Sequence, residues 1–345
     1  MRAATNLGPV VCFGVHILDI LGRPVSQIPP GQHSVIIDEI RVTAAGTAAG
    51  ASVDLAKLGV RVQNIGAIGD DMLGDIVLTL LKDYGVGTEL ISRLSGQVTS
   101  ATILPIRPNG ERPALHAPGA NGAFGISHVT PAQRSALLSA AGIHFGGLDA
   151  MTGLNPADLA ELASAARARG AIVTMDVLRN GGVESLESLA PVLRNTDWFC
   201  PNDEQLLGLT GESDLHRAAL RVLGLGARGV AVTCGANGCR VIDADSDVIV
   251  PSIEVSVMDT TGCGDGFDAG FLTGLLAGLS PVQAAWVGTV CGSLVATGLG
   301  SDAGITDLGQ VASMLLDTAN DDAKYAGERL RSKISNTESE VGGRE

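Results

Sequence analysis

The sequence predicts an α/β fold built around a doubly wound, mostly parallel sheet. Short β-rich runs alternate with longer amphipathic segments along most of the 345 residues, and this alternation is typical of repeated βα units. Apolar residues make up 45% of the chain and aromatic residues only 3%, so Ala, Val, Leu and Ile must fill the core beside glycine backbones. Such a composition favours buried parallel strands covered by helices.

The β and α segments follow one another in a regular order. We predict strands at 10–14, 62–69, 143–148, 171–177, 198–202 and 229–235, and helices at about 47–58, 74–84, 155–169, 214–226, 265–278 and 281–297. The third of these helices opens at Asn155-Pro156, a pair typical of an N-cap followed by a first helical position.

Two stretches, 15–44 and 97–117, interrupt this rhythm with alternating apolar and polar residues, and the second contains a turn signal at 108–110. This pattern predicts antiparallel strands, and we expect them to form one small sheet beside the main one. The folded domain is expected to span 9–316. In 317–345 the apolar pattern fades, which predicts a C-terminal helix or a disordered tail.

Charge and cysteine usage exclude several classes of function. The net charge of −14 and the lack of a Lys/Arg cluster argue against a nucleic-acid partner. The six cysteines are scattered without a C-x-x-C pair, which predicts reduced thiols in a cytoplasmic protein. The apolar run at 10–13 is too short for a signal peptide or a membrane span, so we expect no membrane partner.

The segment with the strongest functional signal follows a β run at 248–258 and precedes an apolar helix. Its small residues Gly262, Cys263 and Gly264 let backbone amides at a helix N-terminus approach an anion, and the helix dipole adds to the attraction. Asp265 follows directly, where a carboxylate can accept the proton of a hydroxyl that attacks a phosphoryl group. Taken alone, such residues more often form a helix cap and a turn.

Two motifs that lie far apart in the sequence favour the functional interpretation over this alternative. Residues 259–271 resemble the C-terminal signature of the ribokinase, or PfkB-type, carbohydrate kinase family, which reads approximately D-T-T-G-A-G-D-x-F-x-x-G-F. Residues 45–50, with Gly59 and Gly69 at matching distances, are similar to the family's N-terminal glycine-rich signature. The resemblance covers about 9–310 in order.

This resemblance implies a Rossmann-like α/β domain with a small β-sheet lid, for which 15–44 and 97–117 supply the strands. Lid closure over the substrate would exclude water, which competes for the transferring group. The resemblance also implies an ATP- and Mg²⁺-dependent kinase that transfers the γ-phosphate to a primary hydroxyl of a sugar. Asp265 would be the general base, and the amides of 262–264 would be the anion hole.

The resemblance further implies roles for individual residues. The substrate-binding set is Asp19, Gly46, Thr47, Gly50 and Asp149. The nucleotide-binding set is Asn202, Thr233, Gly235, Gly238 and Ser301. Mg²⁺ would be held through water near Asn202, Glu204 and Gln205, and a monovalent cation such as K⁺ near Asp259 and Thr261.

The chain departs from the family pattern at three points. Gly50 stands where relatives have an Asn that binds substrate hydroxyls, so one polar contact is missing. Cys263 replaces an Ala, and we favour simple packing over a redox or nucleophilic role. The acidic residue expected three positions after Asn202 is Gln205. Either Glu204 substitutes with a shifted geometry, or Gln205 binds a water without charge.

Other residues carry weaker hypotheses. Asp149 either faces the substrate or caps a helix. Asp176 and Arg179 end a parallel strand, where ligands gather in open α/β sheets, and the alternative is a surface ion pair.

Four further points concern alternative functions, the acceptor and assembly. The altered Gly50 and Gln205 also suit a catalytically idle relative that binds a sugar or nucleoside. A dinucleotide-dependent oxidoreductase is disfavoured, because no G-x-G-x-x-G follows the first strand. The acceptor could be a sugar, which we favour, or a sugar acid or nucleoside. An apolar lid face would suit a homodimer.

Overall fold

A computed structural model of the protein describes residues 5–342, with side chains placed up to residue 334. The strands are β1 (Pro9–Gly14), β2 (Ile17–Arg23), β3 (Glu39–Ala45), β4 (Arg61–Gly69), β5 (Ile91–Leu94), β6 (Ala101–Pro105), β7 (Leu115–Ala117), β8 (Gly142–Gly146), β9 (Ile172–Asp176), β10 (Trp198–Phe199), β11 (Gly229–Thr233), β12 (Cys239–Asp243) and β13 (Asp247–Val250).

The α-helices alternate with these strands over most of the chain. They are α1 (Thr47–Lys57), α2 (Met72–Asp83), α3 (Gly119–Ala123), α4 (Pro131–Ser139), α5 (Ala157–Arg167), α6 (Val183–Leu193), α7 (Asp203–Thr210), α8 (Leu215–Gly224), α9 (Cys263–Leu276), α10 (Pro281–Val295), α11 (Leu308–Leu316) and α12 (Asp321–Gly342). The last three residues of the expected 317–345 tail lie outside the described residues.

The large sheet has nine strands in the order β13-β12-β11-β10-β9-β8-β1-β4-β5. The seven strands from β11 to β5 pair in parallel, while β12 and β13 are antiparallel. Burial on both faces explains the apolar runs, since every residue of β8 is buried. The predicted doubly wound, mostly parallel sheet is confirmed.

Two details of the sequence prediction were wrong. The β run expected to continue to Met258 ends at Val250, because Pro251 follows and has no N–H to donate to a ladder. The hairpin of β12 and β13 was not predicted. It places two antiparallel strands at the edge of an otherwise parallel sheet.

The second sheet has four strands in the order β3-β2-β6-β7. They lie in the two stretches expected to form it, except that β3 runs to Ala45. The turn at 108–110 closes where Gly110 N donates to Arg107 O over 2.9 Å. One pairing differs from the expectation, because β2 and β6 are parallel. A long crossover joins them, and parallel pairing needs such a connection.

Helix α9 brings the expected catalytic segment into the interior. All of its residues from Asp265 to Gly274 are buried, and it packs against α1 and α10. It begins at Cys263, two residues before the predicted start, so the glycine-rich residues form its first turn. Within the described part of the chain, no helix is long and apolar enough to cross a membrane.

Candidate active site

The first turn of α9 presents open backbone amides. Gly262 is its N-cap with a left-handed φ of 80°, and a β-carbon there would lie 2.5 Å from Ser301 Cβ, so only glycine fits. Cys263 N donates to Thr260 O over 3.4 Å, whereas the Gly262 and Gly264 amides have no acceptor among the described residues. Two of the three expected amides, at the positive end of a helix dipole, therefore remain available to an anion.

Asp265 lies beside these amides with its carboxylate uncommitted. The residue is 9% exposed, and its side chain is neither hydrogen-bonded nor ion-paired within the described chain. Burial, and then the charges of Asp54 and Asp19, raise the pKa of Asp265 to about 7, while Arg112 opposes the rise. Such a carboxylate is basic enough to take a proton near neutral pH.

Gly50 is in direct contact with Asp265. A β-carbon at Gly50 would lie 2.7 Å from Asp265 Cγ and closer still to Oδ2. The sequence interpretation treated Gly50 only as a lost substrate contact. The structure adds that the missing side chain makes room for the carboxylate. Gly46 and Thr47 begin the same helix, with Thr47 buried.

A row of polar side chains crosses the small sheet on one face. Asp19 pairs in register with Thr43 on one side and with Thr102 on the other, and Thr102 pairs with His116. Thr102 Oγ1 and His116 Nδ1 are 3.0 Å apart. Burial raises the pKa of Asp19 to about 6, although Thr102 and Arg112 oppose the rise. Sequence reasoning identified only Asp19, because strand register was unknown.

The carboxylate of Asp149 binds backbone amides. Its carboxylate oxygens accept hydrogen bonds from Leu178 N and Arg179 N, both over 2.9 Å, so it caps the backbone that follows β9. Asp176 accepts from Val177 N and forms no ion pair with Arg179 in the described structure. Arg179 is exposed, and its charge acts on Asp149 and on His116 of the small sheet.

The predicted nucleotide loop is a tight turn after β11. Cys234 N donates to Gly238 O over 2.7 Å, and Gly238 N donates to Gly235 O over 3.0 Å. A β-carbon at Gly235 would meet nothing within 4 Å, so one side of the turn is open. Thr233 forms a parallel bridge with Asn202. The turn and the predicted magnesium region are therefore neighbours.

The predicted magnesium region is also a helix cap. Asn202 Oδ1 accepts from Gln205 N and Gln205 Oε1 accepts from Asn202 N, each over 2.8 Å, and Gln205 Nε2 donates to Val177 O over 2.9 Å. Gln205 is buried, and its amide oxygen and nitrogen both take part in these bonds, so its observed contacts are those of a helix cap. Glu204 is exposed. The described residues contain no cluster of three His, Cys, Asp or Glu that could hold a metal.

The side chains expected near a monovalent cation hold the loop together. Asp259 accepts from Thr261 N over 3.0 Å, from Thr261 Oγ1 over 2.8 Å and from Gly300 N over 2.9 Å. Ser301 is 1% exposed, and its hydroxyl donates to Ala44 O over 3.3 Å. The Ser301 hydroxyl is therefore hydrogen-bonded to β3, while the Ser301 β-carbon lies against Gly262 of the α9 N-terminus.

Comparison with known proteins decides the family. Residues 9–307 match the family described as pfkB family carbohydrate kinase. The chain belongs to this family.

Individual relatives agree with this assignment. The kinase is 32% identical over 227 residues to an Archaeoglobus fulgidus protein described as an uncharacterized sugar kinase, covering 65% of this chain and 86% of the relative. It is 27% identical over 292 residues to the 2-dehydro-3-deoxygluconokinase of Bacillus subtilis, covering 79% and 86%. Arabidopsis thaliana ribokinase, solved with ribose and ATP, superposes with a TM-score of 0.76 at 20% identity, covering 90% of this chain and 99% of that one.

Within this pfkB family kinase, the structure brings some predicted residues together and separates others. Asp265, the open amides, Gly50 and Asp19 converge, and Ser301 packs against Gly262, whereas Gln205 forms the cap of α7. Burial raises the pKa of the Cys263 thiol to about 12, so the thiol stays protonated and inert. Arg112, Thr102 and His116 were missed. The alternation of 101–105 and 115–117 could have indicated the last two.

Proposed function

We propose that this family member is an ATP-dependent kinase that phosphorylates a primary hydroxyl of a sugar. The acceptor oxygen forms a bond to the γ-phosphorus, the bond to the β-phosphate oxygen breaks, ADP leaves, and the acceptor proton passes to Asp265. The amides of the 262–264 turn stabilise the charge on the transferring group. The observation that carries the proposal is the uncommitted Asp265 carboxylate beside the open Gly262 and Gly264 amides.

The site residues fit a nucleoside triphosphate with Mg²⁺. The open amides suit phosphate oxygens, and the turn at 235–238 with Thr233 has an open side for the rest of the nucleotide. Mg²⁺ neutralises phosphate charge when bound, and Glu204 with Asn202 would hold it through water. Asp259 and Thr261 shape a loop whose remaining lone pairs would suit K⁺.

The polar row of the small sheet is the proposed acceptor platform. Asp19, Thr102 and His116 present hydrogen-bonding groups at one level of adjacent strands, which suits neighbouring hydroxyls of a sugar. The small sheet would act as a lid over this platform. We assign the kinase domain to 9–316 and a cytoplasmic location to the protein.

Two arginines favour a sugar acid as the second candidate acceptor. Arg112 acts electrostatically on Asp19, Cys263 and Asp265, and Arg179 acts on His116. Both guanidinium groups therefore lie close enough to the platform to act on its titratable groups. A carboxylate on the acceptor would be attracted by this local positive charge.

The opposite face of the small sheet is a proposed dimer surface. Val42, Ile20, Ile103 and Leu115 pair in register across its four strands. Ile103 is 52% and Leu115 60% exposed. A second copy of the same face would cover this apolar row.

A coupled ADP-release assay over sugars, sugar acids and nucleosides tests the proposal. We expect turnover with a sugar or sugar acid, and a loss of about 10³-fold in kcat for Asp265→Asn with ATP affinity retained. Asp197→Asn is the control, because Asp197 is also a buried carboxylate but pairs with Arg167 and Arg228. It lines a pocket beside Leu275 in the last turn of α9, whereas Asp265 is in the first turn. Undiminished turnover in Asp265→Asn refutes the mechanism.

The same assay separates the alternatives. Ligand binding without ADP release in the wild type favours the catalytically idle relative, and turnover confined to nucleosides favours a nucleoside kinase. If the acceptor is a sugar acid, Arg179→Ala raises KM for the acid at least tenfold and leaves KM for the matching neutral sugar unchanged. If Arg179→Ala raises KM equally for both acceptors, the argument from local positive charge is refuted.

A further inference from the structure

A second carboxylate lies directly behind the proposed catalytic one. Asp54 is on α1, one helical turn after Gly50, which contacts Asp265. Asp54 is fully buried, and a β-carbon at Gly266 of α9 would lie 3.4 Å from its Oδ2. The same face of α1 therefore touches both Asp265 and the residue after it.

One oxygen of Asp54 has no hydrogen-bond partner. Asp54 Oδ1 accepts from Lys57 Nζ over 3.1 Å, but Oδ2 is buried and unsatisfied among the described residues. An unpaired buried carboxylate oxygen is costly and calls for an explanation beyond packing. The position of Asp54 Oδ2 against the first turn of α9 suggests that explanation.

Lys57 anchors Asp54 to a wider buried network. Lys57 Nζ also donates to Asp302 O over 2.6 Å, and the Asp302 carboxylate accepts from Arg41 Nη2 over 2.9 Å and from Tyr84 OH over 2.6 Å. Arg41 belongs to β3 of the small sheet, so the network joins α1, α2, the loop after α10 and the lid. Within this network the negative charges of Asp54 and Asp302 are balanced by the positive charges of Lys57 and Arg41.

We propose that Asp54 is a positioning residue for Asp265: held in place by Lys57, its buried charge backs the first turn of α9 and keeps Asp265 a strong proton acceptor. This inference rests on the proposed function. Two like charges close together in a dry interior resist joint ionisation, so each makes the other more basic. Asp54 acts through Asp265, and it does not touch the acceptor.

The surrounding charges are consistent with this arrangement. Burial raises the pKa of Asp54 to about 7, with Lys57 opposing the rise and Asp302 adding to it. Burial is thus the main cause of the raised pKa of both carboxyl groups, and the charge of Asp54 adds to the rise at Asp265. The charged or titratable groups that interact with Asp265 are Asp19, Asp54, Arg112, Cys12, Cys263, Asp176 and Asp268. Those that interact with Asp54, besides Asp265, are Lys57, Asp302, Tyr84, Cys263 and Cys291.

The pH dependence of kcat/KM tests this proposal. Protonated Asp265 cannot act as a base, so activity falls on the acid side of its pKa. Asp54→Asn removes a negative charge, lowers the pKa of Asp265 and should move the acid limb about one pH unit lower. The double variant Asp54→Asn/Lys57→Gln should shift the limb in the same direction, since it replaces the ion pair by a neutral pair that leaves no unpaired buried charge.

The controls separate this proposal from a structural role and from the proposed function. Asp197→Asn should leave the limb in place while it lowers the melting temperature. A folded double variant with a wild-type pH profile overturns the proposal, even if Asp54→Asn alone does not fold. If Asp265→Asn keeps its turnover, the proposed function fails as well. If that variant is inactive and the limb is unmoved, only the role of Asp54 fails.

Discussion

Replacing Gly50 by Ala should inactivate the enzyme without unfolding it. The new β-carbon would overlap the Asp265 carboxylate, because it would lie 2.7 Å from Cγ and 3.1 Å from Cβ of that residue. Real β-carbons do not approach so closely, so the carboxylate must rotate away from α1. A displacement of about 1 Å of a reacting group costs on the order of 100-fold in rate.

Two opposing terms set the stability of this variant. Gly to Ala inside a helix gains about 1 kcal/mol of helix propensity, whereas overpacking a buried site costs about 1–3 kcal/mol. The free energy of unfolding should therefore fall by no more than about 2 kcal/mol. We expect a folded protein with kcat reduced about 100-fold and near-normal ATP affinity.

The assays are ADP release, calorimetric ATP titration and thermal melting. Gly224→Ala is the matched control, because a β-carbon at the last residue of α8 would meet nothing within 4 Å. It should keep full activity. Wild-type kcat in a folded Gly50→Ala protein would show that contact between α1 and the carboxylate is not needed, and the reasoning would be refuted.

Two further predictions concern stability and assembly. The folded pKa of Asp265, about 7, exceeds its unfolded value, so its protonation favours the native state and that stabilisation is lost as pH rises through about 7. Asp265→Asn should therefore raise the unfolding free energy at pH 8 by about 1–3 kcal/mol and leave it unchanged at pH 3, as measured by chemical denaturation; a less stable variant at pH 8 contradicts this. Ile103→Asp on the small sheet should weaken a dimer at least tenfold in sedimentation equilibrium. Ile249→Asp should not, although Ile249 on the edge strand β13 is even more exposed than Ile103. A wild type that is monomeric throughout refutes the dimer proposal.

The main fold was predictable because its signals are local. Buried parallel strands are continuous apolar runs, and β8 and β9 were placed within two residues of their observed ends. Pairing is not local. The parallel alignment of β2 with β6 depends on a crossover of many residues, and alternation alone does not distinguish parallel from antiparallel partners.

For the candidate site, too, the features with a local signal were predictable and the others were not. A glycine turn at a helix start can be read from residues 262–264, since backbone amides act there whatever the neighbouring side chains are. The hydrogen-bond partners of side chains cannot be read from the sequence so directly. The Asn-x-x-Gln spacing of 202 and 205 matches a capping box, and that signal predicts the observed reciprocal bonds better than it predicts a metal ligand.

The acidity of the cleft limits how a triphosphate can be held there. Asp19, Asp54 and Asp265 converge behind the anion turn, so a phosphate that enters meets both donor amides and carboxylates. Burial favours the neutral form of these acids, which reduces the repulsion, and the positive charge of Arg112 opposes the rest. Arg112 lies in the loop between β6 and β7 of the small sheet, so closure of the proposed lid would bring this cation into place as acceptor and nucleotide meet. We therefore expect substrate binding and charge balance at the site to depend on the same proposed lid movement.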